Sequence, residues 1–90
     1  MNKKQEKYDS YMEQGKLYFL NEKYNEAIAE YNKALNLKIG KTTEAEVYYN
    51  IGIAYEGINN TESAQKSYQQ VLNLDPEHKL AKEHLDDMLE

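Results

Sequence analysis

A pattern of 27 residues occurs twice in this chain, and no other feature restricts its fold as much. Residues 11–37 read YMEQGKLYFLNEKYNEAIAEYNKALNL, and residues 48–74 read YYNIGIAYEGINNTESAQKSYQQVLNL. Aligned without a gap, eight positions are identical, among them Tyr11/Tyr48, Gly15/Gly52, Tyr18/Tyr55, Ala27/Ala64 and Tyr31/Tyr68. A period of 37 residues with fixed internal spacing marks stacked copies of one structural unit. Each copy buries an apolar face that it could not bury alone.

Apolar residues recur at steps of three and four, the period of a helix, and do not alternate as in a strand. The pattern predicts a first helix over 4–20, a turn at 21–23 and a second helix over 24–37. A loop over 38–43 follows, with Gly40 as a left-handed residue ending the second helix. Thr43 and Glu46 have the spacing of a capping box, predicting a third helix from there to Gly57. Asn60 or Thr61 caps a fourth helix ending near Leu74. Asp75-Pro76, an acidic cap before a proline, predicts a fifth over 76–89. Gly15 and Gly52 fall inside helices, where glycine costs about 1 kcal/mol relative to alanine. Close helix approach accounts for them, with Ala27 and Ala64 as the matching small surface and the tyrosines filling the space around it.

The repeated Tyr-x3-Gly-x2-Tyr, followed by Ala and then Tyr, resembles the tetratricopeptide repeat. The resemblance implies an all-α fold of antiparallel helix hairpins stacked as a short right-handed α-solenoid of five helices. Repeat two, 45–78, has the ordinary 34-residue length and ends in Leu74-Asp75-Pro76. Repeat one, 8–44, has Ile39 in place of the closing proline and carries three extra residues, which belong in the 38–43 turn. The first helix has Ser10, Gln14, Leu17 and Asn21 where the third has Val47, Ile51, Ala54 and Ile58. A mostly polar outer face suits a terminal repeat. Ala81, Leu85, Met88 and Leu89 suit a capping helix at the other end. The expectation is one domain over 1–90.

Composition narrows the function. The net charge is −5, with eleven lysines and no arginine, which does not suit a nucleic-acid binder. No apolar run approaches the roughly 18 residues of a membrane span, so no membrane partner is expected. The absence of cysteine fits a reducing, cytoplasmic setting. Neither a nucleophile–histidine–acid spacing nor a phosphate loop appears, and His78 and His84 do not share a helical face. The expectation is a protein without catalytic residues, cofactor or metal. Glu83, Asp86 and Asp87 read as a solvated helix face.

In the family, the first helix of each repeat lines a groove for a peptide or helix segment. Carried onto this chain, the partner-binding candidates are Met12, Lys16, Phe19, Tyr49, Asn50, Ile53 and His84. The family's carboxylate-binding branch needs further basic residues, where this chain has Met12, Leu80 and His84. Instead Met12, Phe19, Tyr49 and Ile53 would form an apolar floor between acids such as Asp9, Glu13, Glu46 and Glu56. This predicts a binding module for an apolar segment with basic flanks. The alternative is a homo-oligomer assembled through the same floor or through Leu80, Leu85 and Leu89.

Overall fold

A computed structural model describes residues 2–89. Five helices follow one another: α1 (Lys3–Leu20), α2 (Tyr24–Leu35), α3 (Lys41–Gly57), α4 (Thr61–Leu74) and α5 (Lys79–Leu89). Each packs against its neighbour in sequence, and α2 against α3 joins the two hairpins. The result is a slab with extents of 45 × 29 × 16 Å, about two helix layers thick.

The two hairpin corners repeat as closely as the sequence does. Lys23 N–H donates to the Tyr18 carbonyl at 2.9 Å, and Asn60 N–H to the Tyr55 carbonyl at 2.9 Å. Glu22 and Asn59, at equivalent places, both take φ of 60°. Asparagine tolerates that left-handed geometry well; glutamate adopts it because the same closing bonds demand it. Asn60 Oδ1 caps α4 by accepting from Ser63 N at 3.1 Å.

Three helix ends differ from the sequence expectation. The second helix stops at Leu35, and the left-handed residue after it is Lys38 (φ 52°), while Gly40 is extended at φ 164°. The third helix begins at Lys41, because Thr43 does not cap it: its hydroxyl donates back to the Gly40 carbonyl at 2.9 Å. Pro76 does not open α5. Asp75 ends α4, accepts from His78 N at 3.1 Å in a turn, and leaves His78 to cap α5 through Nδ1 and Ala81 N (3.1 Å). The separate turn follows from chain reversal, which a helix starting at Pro76 would leave no residues to make.

Two apolar clusters share α3. Tyr8, Met12, Ala27, Tyr31, Ala34, Val47 and Ile51 join the first hairpin to α3. Ala45, Ala64, Tyr68, Val71 and Ala81 join α3, α4 and α5. The glycines allow this, though their partners are the tyrosines and not the alanines. A Cβ on Gly15 would lie 2.5 Å from Tyr31 Cε1, and one on Gly52 would lie 2.7 Å from Tyr68 Cε1. Both rings are buried, each contributing on the order of 2 kcal/mol by burial. Ser10, Gln14 and Asn21 face solvent, while Val47, Ile51 and Ala54 are buried. On α5, Ala81, Leu85 and Met88 pack inward, but Leu89, expected to join them, is 68% exposed.

Candidate interaction groove

Helices α1 and α3 lie side by side, and their exposed faces leave two cavities between them. The one toward the C-terminal half of α1 has a volume of about 240 Å³ and is lined by Lys16, Phe19, Leu20, Tyr31, Asn50 and Ile53. Helical spacing places these residues together: Lys16, Phe19 and Leu20 share one face of α1, and Asn50 and Ile53 one face of α3. Phe19 is held edge-on to Tyr24 with ring centroids 5.4 Å apart, so its position is fixed by the hairpin corner. Asn50 Nδ2 donates to the Glu46 carbonyl of its own helix at 3.0 Å.

The second cavity, about 460 Å³, lies toward the N-terminal half of α1 and is bordered by Tyr8, Asp9, Met12, Glu13, Lys16 and Glu46, among others. Met12 is 5% exposed and lies beneath this cavity, not on an open apolar floor. Of the acids expected to flank the floor, Asp9, Glu13 and Glu46 gather here, and Glu56 does not.

Tyr49 and His84 stand apart from both cavities. Tyr49 borders a third hollow, about 480 Å³, between the start of α3 and the α4–α5 turn, facing His78 at 5.1 Å. Its hydroxyl lies 3.3 Å from His84 Nε2. His84 Nδ1 lies 2.9 Å from Glu56 Oε1, and the Tyr68 hydroxyl donates to the same carboxylate. Tyr68 and His84 stack with centroids 5.2 Å apart. Burial, then the bond to Glu56, hold the Tyr68 phenol well above its ordinary pKa, and burial with the charges of Glu56 and Glu83 raises that of Tyr49. Both phenols stay protonated at neutral pH, so the set fastens α5 to the second hairpin and offers no activated nucleophile.

Of the seven sequence-derived residues, the structure gathers Lys16, Phe19, Asn50 and Ile53 around one cavity. Met12 belongs to the acidic cavity, and Tyr49 and His84 to the polar set above. Sequence reasoning took Tyr68 as packing alone and missed its link to Glu56 and His84. A signal existed: the chain's own duplication puts Glu56 where repeat one has Phe19, a carboxylate in place of a ring.

Stacked antiparallel hairpins, each closed by the same glycine–tyrosine contact, define a helical-repeat protein. The family model described as tetratricopeptide repeat matches residues 8–77, and the chain belongs to that family. Such repeats generally mediate protein–protein interactions and typically carry no catalysis. No significant match to a curated protein sequence was found. Among the described residues, no helix is long and apolar enough to cross a membrane.

Proposed function

We propose that the chain binds a segment of a partner protein in the groove between α1 and α3, with an apolar side chain seated in the 240 Å³ cavity and basic residues against the neighbouring acids. The observation that carries this reading is the cavity itself. Phe19, Leu20, Tyr31 and Ile53 make it apolar, and its volume lies below the roughly 300–1,000 Å³ of small-molecule sites, suiting one inserted side chain. Aromatic and aliphatic anchors in such pockets supply most of the energy of a segment interface. Asp9, Glu13 and Glu46 beside it favour positive flanks, which steer encounter more than they add affinity.

Anisotropy of a labelled peptide with a central leucine and lysines on both sides tests it. The wild-type chain binds the peptide, and Phe19→Ala with Ile53→Ala weakens binding at least about tenfold. Equal binding by both proteins removes the cavity from the account. Exposure of Leu20 (74%), Leu80 (51%) and Leu89 favours a second reading, pairing with another copy. Light scattering across a concentration series separates the two, because a mass that stays at one chain at every concentration excludes self-assembly.

A further inference from the structure

The acidic cavity differs in kind from its apolar neighbour. Asp9, Glu13 and Glu46 line it together with Tyr8 and Met12, and Lys16 borders both cavities. A second observation comes from Tyr8. Its side chain is 6% exposed, and its buried hydroxyl finds no hydrogen-bond partner among the described residues. Buried polar groups are nearly always paired, so an unpaired one calls for an explanation. Burial, followed by the charges of Glu46 and Asp9, pushes the pKa of this phenol up to about 12. The hydroxyl therefore stays protonated, lies within reach of the field of both acids, and has oxygen lone pairs to offer.

The complement of this site is a cation that donates several hydrogen bonds in different directions. Among the described residues, no three acids converge closely enough to hold a metal ion, so the negative charge is spread out. Gln5 Nε2 already donates to Asp9 Oδ1 at 3.0 Å, leaving the other carboxylate oxygen for a ligand. A guanidinium carries five donors in a planar fork and gives up its water more readily than an ammonium. We propose that this cavity takes an arginine side chain of the partner segment, with Glu46 and Asp9 as counter-charges and the Tyr8 hydroxyl oxygen as an acceptor. The proposal rests on the segment-binding reading above and sets its register. The two cavities are centred about six residues apart along α1, roughly 9 Å, which about three residues of extended peptide span. Arginine and the apolar anchor accordingly stand three positions apart.

Two acetylated, amidated peptides test this, each with leucine in a Ser/Ala background and either arginine or its neutral isostere citrulline three positions away. Calorimetry in low salt gives the arginine peptide about tenfold tighter binding. The ratio shrinks toward one in Glu46→Gln, and falls severalfold in Tyr8→Phe. Tyr8→Phe keeps the ring and deletes only the unpaired hydroxyl, so its melting temperature is no lower than wild type, and lost preference then reports the ligand contact. Equal binding of the two peptides overturns the arginine site and leaves the apolar groove standing. Failure of both peptides to bind overturns both readings. An arginine preference undiminished in Glu46→Gln overturns the assignment to this cavity.

Discussion

The first hairpin, α1–α2, and the second, α3–α4, solve the same packing problem and present different chemistry. In both, a tyrosine ring fills the gap left by a glycine on the partner helix, Tyr31 over Gly15 and Tyr68 over Gly52. Beyond that contact they diverge. Beside Tyr31 the chain has Phe19, which lines an apolar cavity; at the matching place beside Tyr68 it has Glu56, which accepts from the phenol and meets His84 of α5. Tyr8 of the first hairpin is replaced by Ala45 in the second, so the unpaired hydroxyl exists once. Duplicated residues close each hairpin. Unduplicated ones carry whatever distinguishes this chain from another stack of hairpins.

The largest effect tests the shared half. Tyr31→Ala and Tyr68→Ala each empty a site that is nearly closed to solvent, and each should lower the unfolding free energy by about 3–5 kcal/mol. Urea titration checks this, and unequal losses would show that the two contacts are not alike. Next in size is the share that Tyr8 of the first hairpin takes in the alkaline loss of stability, to which the raised phenols of Tyr49 and Tyr68 also contribute. The Tyr8 phenol ionises at about 12 in the folded chain against an ordinary value of 10, so its share of stability is fully present below pH 10 and is lost as pH rises toward 12. Two units correspond to roughly 2.7 kcal/mol at most. Wild type should therefore lose stability more steeply across that range than Tyr8→Phe, by about one proton's worth; parallel curves would contradict the raised value. Smallest is the hydroxyl comparison. Tyr68→Phe removes the phenol's bond to Glu56, which keeps His84 beside it, and should cost about 1 kcal/mol, whereas Tyr31→Phe should stay within about 0.5 kcal/mol.

The sequence made the stack legible because packing recurs wherever spacing recurs. Gly15, Gly52, Tyr31 and Tyr68 announced close helix approach, and Phe19, Asn50 and Ile53 fell together as their helical phases required. Helix starts were less legible. Thr43 and Glu46 have the spacing of a cap, yet the Thr43 hydroxyl turns to the Gly40 carbonyl, and His78, not Asp75, caps α5. Such choices depend on where the chain must arrive, which local spacing does not encode. Contacts between helices were illegible for a similar reason. Glu56 and His84 are 28 residues apart, and only the three-dimensional stack brings them within 2.9 Å. Met12 and Tyr49 occupy equivalent positions, but Met12 sinks beneath an acidic cavity while Tyr49 leans on the closing helix.

The direct test of where specificity resides is a ¹H–¹⁵N titration of the chain with the leucine peptide flanked by lysines. If specificity resides in the α1–α3 cavity, saturable shifts appear at Lys16, Phe19, Leu20, Asn50 and Ile53, while the opposite face around Asn32, Tyr48 and Ser67 stays still. Saturable shifts at Asn32, Tyr48 and Ser67, with the α1–α3 cavity unmoved, would contradict it.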